Sequence, residues 1–324
     1  MNILINDGID KEAKSMLEKA GFTLDMNKIP QQELAGKIQN YSAILVRSAT
    51  KVKKTEIDAG VNLKLIGRGG VGLDNIDVEY ARAKGIAVIN TPDASTLSVA
   101  ELVIAHTFGM ARFLHQSNRE MPAVGINKFE ELKKKYSAGK ELRGKTMGII
   151  GFGRIGQETA RIAFRLGMKV ILHNRTDREF SLKVDFAQND VNINLEFKVK
   201  ATTFEHVLEN SDFISIHVPF KKGDKPIISS KEFEMMKPGT GLINCSRGGV
   251  VDEKALLSAL NTNKIAYAAV DVYESEPTDN LELLSHSAVS LTPHTGASTV
   301  EAQQRVGTQL ASQVIDFFRG KGLI

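Results

Sequence analysis

The chain has one cysteine, Cys245, and no tryptophan. A single cysteine excludes an intrachain disulfide and a cysteine-rich zinc site, and it fits a reducing compartment. No metal site is expected. Long apolar runs are missing: no stretch approaches the roughly 18 residues that a membrane helix needs. The first seven residues lack the basic flank and apolar core of a secretory signal. A cytoplasmic chain with no membrane partner is therefore expected. Charge of one sign is also scarce, since 42 Lys and Arg oppose 38 Asp and Glu. The balance of +4 is too diffuse to argue for a nucleic-acid partner, although the small excess suits an anionic substrate. What remains is 324 residues, 42% hydrophobic and 25% charged. That is the size and composition of about two soluble globular domains.

The organising stretch is residues 146–156. Residues 147–150 read as a short apolar strand, and Gly151, Gly153 and Gly156 follow as Gly-x-Gly-x-x-Gly. Ile155, Thr159, Ile162, Ala163 and Leu166 then recur at helical spacing. Glycines between a strand and a helix have a specific use. The first permits a tight turn, the second lets backbone approach a pyrophosphate, and the third lets helix and strand pack closely. Amides at the helix start then face the phosphates. This context predicts a dinucleotide site.

Strands and helices alternate along the rest. Residues 2–6, 43–46, 65–66 and 87–89 read as buried strands of one parallel sheet. Ligands bind outside the strand C-termini of such sheets. Arg47 and Ser48 close the second strand, and Arg68, Gly69, Gly70 and Val71 close the third. The two arginines are either solvated surface charges or an anion site. Residues 98–114 read as a long, largely apolar helix carrying His106, a core or interface histidine rather than a catalyst. Residues 116–143 break the pattern, with a charge run at Lys133, Lys134 and Lys135. They read as a solvated arm that could reach a second subunit.

After the glycine turn, residues 169–172 form the next strand. A carboxylate about 20 positions beyond the glycines would hold the ribose of NAD. Asn174 stands there, followed by Arg175. Arginine accommodates a 2′-phosphate, so the cofactor reads as NAD or NADP; a solvent-facing Arg175 is the plainer alternative. Residues 177–201 are polar and read as an insertion, with a small hairpin through 191–199. Further strands are expected at 213–218, 242–244, 266–272 and 289–291. Arg247, Glu276 and His294 fall at or beyond the ends of three of them. One parallel sheet would open all three onto the crevice of the glycine turn. A cation for a carboxylate, a proton acceptor near neutrality and a carboxylate to hold that acceptor suit hydride transfer between a nicotinamide and a 2-hydroxy acid.

At these residues the chain resembles the D-isomer-specific 2-hydroxyacid dehydrogenases, and within them the branch that oxidises 3-phosphoglycerate to 3-phosphohydroxypyruvate on the way to serine. The similarity runs over almost the whole chain. Its most specific pieces are residues 46–52, 72–77, 151–156, 244–249 and 293–299. The resemblance implies an α/β fold of two doubly wound parallel-sheet domains around a cleft, one Rossmann-like and one flavodoxin-like. Residues 1–98 and 296–324 would form a discontinuous substrate domain, and 99–295 the NAD(P) domain. It implies His294 as acid/base, Glu276 as its partner, and Arg247 as the group that binds the carboxylate and polarises the carbonyl. Asp271 would hold the nicotinamide amide, and Arg154 and Ile155 would line the pyrophosphate. His217, Pro219, Cys245 and Gly296 would complete the cofactor surface, with Asn174 in place of the usual aspartate. Arg47, Ser48, Arg68, Gly69, Gly70 and Val71 would hold the substrate. Members are typically homodimers through the cofactor domain. The alternative substrates are glyoxylate, hydroxypyruvate or another unphosphorylated acid. The same fold and triad also serve in nicotinamide-sensing corepressors, so a partner-binding role is a third reading. The chain stops at Ile324, so serine feedback through the C-terminal regulatory domain of longer members is not expected.

Overall fold

The computed structural model describes residues 1–176, 178–188, 191–221 and 223–324. They divide into two compact units, Met1–Ser98 with Ala297–Ile324, and Val99–Gly296. Gly296 goes with the second because its amide donates to Asp271 Oδ2 at 3.0 Å.

The first unit begins β1 (Asn2–Ile5), α1 (Lys11–Lys19), β2 (Thr23–Asp25), α2 (Gln31–Lys37), β3 (Ala43–Val46) and α3 (Lys54–Ala59). It continues β4 (Leu65–Arg68), α4 (Val78–Ala83) and β5 (Ala87–Asn90). The sheet is parallel in the order β2-β1-β3-β4-β5, the flavodoxin-like arrangement. Every residue of β3 is buried, as expected for a strand covered on both faces. One cluster, with Leu34, Ile44, Ile57 and Ile66, packs on one face; Leu17, Leu45, Leu65, Leu310 and Phe318 pack on the other. Leu310 and Phe318 come from the C-terminal helix described below, which is why this unit needs both ends of the chain. A Cβ on Gly67 would lie 2.6 Å from Leu45 Cδ2 and 3.1 Å from Leu310 Cδ1, so glycine lets that helix seat on β4.

The second unit follows through α5 (Thr96–Ala111), α6 (Leu114–Lys135), β6 (Thr146–Ile150), α7 (Arg154–Arg165) and β7 (Lys169–His173). Next come β8 (Glu179–Gln188), β9 (Val191–Lys200), α8 (Phe204–Asn210), β10 (Phe213–Ile216), α9 (Ser230–Met235) and β11 (Gly241–Asn244). The unit ends with α10 (Glu253–Asn261), β12 (Tyr267–Val270), α11 (Leu281–Ser285) and β13 (Val289–Leu291); α12 (Val300–Gly320) then returns to the first unit. Its sheet is parallel in the order β13-β12-β11-β10-β6-β7. The sequence order reverses at β6, a topological switch point where ligands bind.

Three elements differ from the sequence reading. Residues 116–143 are largely helical, not an irregular arm. Non-helical backbone at Lys128 kinks α6; Lys128–Glu131 at 3.6 Å and Lys133–Glu130 at 3.7 Å pair within one turn, and Lys135–Glu120 at 2.5 Å pairs across the kink. A helix that is polar most of the way round shows little apolar periodicity. Phe113, at φ 56°, separates α5 from α6. The second difference is the insertion, where residues 191–199, expected to form a whole hairpin, form only its second strand. β8 and β9 pair antiparallel from Glu179↔Lys200 to Gln188↔Val191. Phe180, Leu182 and Val184 alternate along β8 and are buried, and Phe164 of α7 stacks on Phe197 of β9 at 4.9 Å. Asp177, where the insertion was expected to begin, lies outside the described residues. The third is β2, which is too short and polar to read.

Candidate active site

The parallel register aligns His173, Ile150, Ile216, Asn244, Val270 and Leu291 across the second sheet. One residue further along their strands stand Asn174, Gly151, His217, Cys245, Asp271 and Thr292. All but Thr292 are expected site residues, and the register is what gathers them.

The glycine turn has the clearances its spacing implies. Gly151 sits at φ 92°, and a Cβ there would lie 2.4 Å from His217 O. A Cβ on Gly156 would lie 2.3 Å from Gly151 O, so α7 could not approach β6 with any larger residue. A Cβ on Gly153 would meet nothing within 4 Å. That position opens to free space at the start of α7, which no side chain caps. The amides of Arg154 and Ile155 follow in the first turn, and this opening fits a pyrophosphate. Asn174 turns inward instead: its Oδ1 accepts from Phe152 N at 3.2 Å, and its Nδ2 donates to Thr176 O at 3.3 Å. Arg175 beside it is exposed. His217 Nε2 pairs with Ser215 Oγ at 2.9 Å, and desolvation lowers its imidazole to about 3. Pro219 is exposed. Burial, with the charge of Asp271, pushes the Cys245 thiol well above its ordinary range, so it is no nucleophile.

Arg247, Glu276 and His294 are tied together through backbone. The buried Asn244 donates to Arg247 O at 3.0 Å and accepts from Ser246 N at 3.1 Å. Arg247 Nη1 donates to Ser246 O at 2.7 Å. A Cβ on the next residue, Gly248, would lie 1.7 Å from Tyr273 O. Only glycine lets the arginine turn lie against the loop that leads to Glu276. In that loop Glu276 Oε1 accepts from Tyr273 N at 3.2 Å, and Glu276 Oε2 lies 2.7 Å from His294 Nδ1. With Nδ1 engaged, Nε2 is the nitrogen left for a substrate. The two side chains are 40% and 48% exposed. A pair this open contributes on the order of 1 kcal/mol or less, so its use is orientation, not stability.

Two carboxylates hold these loops, the expected Asp271 and Glu253, which the sequence reading passed over. Glu253 Oε1 accepts from Glu274 N at 2.9 Å and Glu253 Oε2 from Asn280 Nδ2 at 2.7 Å, bracketing Glu276. Asp271 takes three successive amides: His294 N to its backbone oxygen at 2.8 Å, Thr295 N to Oδ1 at 2.8 Å and Gly296 N to Oδ2 at 3.0 Å. A glutamate in the first turn of a helix is too ordinary in sequence to single out.

Residues 104–296 match the D-isomer specific 2-hydroxyacid dehydrogenase, NAD binding domain. The chain is 41% identical to a hydroxypyruvate reductase of Thermotoga maritima over 314 residues, 96% of each chain. It is 39% identical to the D-3-phosphoglycerate dehydrogenase of Methanocaldococcus jannaschii over 324 residues, which covers 99% of this chain and 58% of that one. The chain belongs to the D-isomer-specific 2-hydroxyacid dehydrogenase family. The crystal structure of an NADPH-dependent glyoxylate/hydroxypyruvate reductase from Sinorhizobium meliloti matches with a TM-score of 0.78 at 28% identity, covering 98% of this chain and 94% of that one. The second unit therefore contains the family's NAD-binding domain, and the opening over Gly153 agrees with it.

In the first unit of this dehydrogenase-family chain, the expected substrate residues also lie at strand ends. Val46 pairs with Arg68 in register, so Arg47 follows one strand and Arg68 ends its neighbour. Asp7 Oδ2 accepts from Arg47 N at 2.7 Å and from Thr50 N at 3.1 Å, fixing the turn that contains Ser48. Arg68 lies along its own loop, since a Cβ on Gly70 would fall 1.9 Å from its Nη1. Thr91 Oγ1 accepts from Gly70 N at 2.7 Å, and Asn90 Nδ2 donates to Val71 O at 2.7 Å. Gly69 N donates to Val46 O at 2.9 Å. Arg47 and Gly69, with Asp7, Asp10, Gln303 and Val306, also line a cavity of about 280 Å³.

Proposed function

We propose that this protein is an NAD(P)-dependent oxidoreductase that interconverts a short D-2-hydroxy acid and its 2-oxo acid. The observation that carries the reading is the Glu276–His294 contact at 2.7 Å, on a sheet edge shared with the glycine turn and Arg247. Bound nicotinamide supplies the hydride acceptor or donor. The first-turn amides of α7 hold its pyrophosphate, and the Asn174–Arg175 turn receives the adenosine end. Asp271 holds the nicotinamide amide, and His217, Pro219, Cys245 and Gly296 flank it. Arg247 binds the substrate carboxylate and polarises the adjacent carbonyl. His294 Nε2 takes the hydroxyl proton in oxidation and returns it in reduction, while Glu276 holds Nδ1 and so aims Nε2 at the substrate.

Arg47 and Arg68, with Ser48 and the Gly69–Val71 backbone, bind the substrate's anionic end. Two cations suit a phosphorylated acid, which makes 3-phosphoglycerate the first substrate to test, a step that would place the enzyme in serine biosynthesis. Hydroxypyruvate is the second reading, favoured by the near full-length match to the Thermotoga reductase. The purified protein should be assayed at 340 nm with 3-phosphoglycerate and oxidised NAD or NADP, and with hydroxypyruvate or glyoxylate and the reduced cofactors. Turnover of the phosphorylated acid that collapses in Arg47→Ala and Arg68→Ala supports the first. Turnover of the unphosphorylated acids alone assigns the second. No turnover of any of them, beside stable capture of protein partners, would favour the corepressor-like reading. A cytoplasmic homodimer is part of the proposal: Ile126 and Phe129 of α6 are 100% and 55% exposed, and a second copy would cover them.

A further inference from the structure

His106, which the function above leaves unused, is 5% exposed in α5 and bonded at both ring nitrogens. Nδ1 lies 3.0 Å from Ser290 Oγ, and Nε2 lies 3.2 Å from Thr292 Oγ1. Thr292 Oγ1 in turn donates to Asp271 Oδ1 at 2.6 Å. A threonine hydroxyl has one hydrogen, and here the carboxylate takes it. The Thr292 oxygen can therefore only accept from the imidazole, which puts the ring hydrogen on Nε2. Burial lowers the His106 pKa, with His115 adding to the effect and the charge of Asp271 opposing it, so the ring is neutral near pH 7. A neutral ring with hydrogen on Nε2 has a bare Nδ1, which accepts from Ser290. Every hydrogen in the chain then has one direction: Ser290 to His106, His106 to Thr292, Thr292 to Asp271.

The end of this chain matters because Asp271 holds the amides of residues 294, 295 and 296. His294 itself sits at φ 53°, in the left-handed region. That conformation costs a non-glycine residue roughly 1–2 kcal/mol, so it persists only where the surroundings fix it. We propose that His106 is a positioning residue for His294, acting through the Thr292 hydroxyl to hold Asp271 where it fastens the His294 backbone. The effect on turnover rests on the dehydrogenase reading; the hydrogen-bond chain does not.

Two measurements on the full chain separate these. In the protein labelled with ¹⁵N-histidine, the His106 ring, assigned by its loss in His106→Gln, should report hydrogen on Nε2 between pH 6 and 8. The Thr295 and Gly296 amides should exchange with solvent about tenfold faster in His106→Leu, the equivalent of one hydrogen bond of roughly 1.4 kcal/mol. With NADH or NADPH and hydroxypyruvate or 3-phosphohydroxypyruvate, whichever turns over, kcat should fall about tenfold in His106→Leu. His106→Gln, which keeps an N–H toward Thr292, should recover most of it. The double variant His106→Leu/Thr292→Val should be no slower than Thr292→Val alone. A ring with hydrogen on Nδ1, unchanged exchange at Thr295 and Gly296, or multiplying kinetic losses would each overturn the proposal. If the wild type turns over neither acid, the dehydrogenase reading fails, while tautomer and exchange still decide whether His106 holds the loop.

Discussion

Replacing Glu253 by glutamine changes one atom and should loosen the loop that holds Glu276. The carboxylate accepts from Glu274 N at 2.9 Å on one oxygen and from Asn280 Nδ2 at 2.7 Å on the other. Glutamine must present its NH₂ to one of these two donors. Asn280 cannot turn over without loss, because its Oδ1 caps α11 by accepting from Leu283 N at 3.1 Å. One charge-assisted hydrogen bond is lost and one donor is left facing another, a cost of about 1.5–3 kcal/mol. Glu253 is buried, but Glu274 and Ser275 are exposed, so water relieves part of the cost. About 1.5 kcal/mol remains, equivalent to a tenfold fall in kcat/KM if the loop must be ordered for turnover. The melting temperature should fall by about 3 °C. The assay is hydroxypyruvate or 3-phosphohydroxypyruvate reduction alongside calorimetry. A variant that melts lower but keeps the wild-type kcat/KM would show that the clamp is not coupled to Glu276, and the reasoning would fail.

Three further outcomes follow from other parts of the structure. Arg175→Ala should raise KM for NADP by about 10- to 100-fold and leave KM for NAD nearly unchanged, since only NADP carries a 2′-phosphate for the exposed arginine to meet; equal changes would return Arg175 to the solvent. His217, lowered from 6.5 to about 3, resists protonation in the folded state. The unfolded chain binds more protons below pH 6.5, so stability falls as pH drops through that value, by about 2 kcal/mol at pH 5 from this residue alone. Denaturant titrations at pH 8 and pH 5 should show that loss in the wild type and not in His217→Gln, and parallel losses in both would contradict it. Ile126→Asp/Phe129→Asp should convert a dimer to a monomer by light scattering at micromolar concentration; an unchanged mass would place the interface elsewhere or exclude it.

The parallel sheets were legible because short, almost wholly apolar runs such as residues 43–46 and 213–216 have few other uses, and because ligands collect at strand C-termini. That rule brought Arg247, Glu276 and His294 together on paper. The residues that orient them were not legible. Asn244 and Glu253 act through bonds to loop backbone, and Thr292 through side-chain bonds to His106 and Asp271; only the fold brings these partners near, and each of the three is an ordinary polar residue in sequence. His106 read as a satisfied core histidine, since its partners Ser290 and Thr292 lie 184 and 186 positions away. Helix α6 was missed because it is kinked at Lys128 and its charges pair with one another, and β2 because three residues carry no period. The hairpin was foreseen but misplaced: residues 191–199 were read as the whole of it and form only its second strand, and the alternation of Phe180, Leu182 and Val184 in β8 was not used.

The central claim is that the His294 imidazole exchanges the proton of the substrate hydroxyl. Its direct test is single-turnover hydride transfer in His294→Ala with the cofactor bound, checked by near-UV circular dichroism for an intact fold. The rate should fall by about 10²- to 10⁴-fold, with cofactor affinity retained. A rate within about threefold of the wild type would mean that another group, or water, moves the proton.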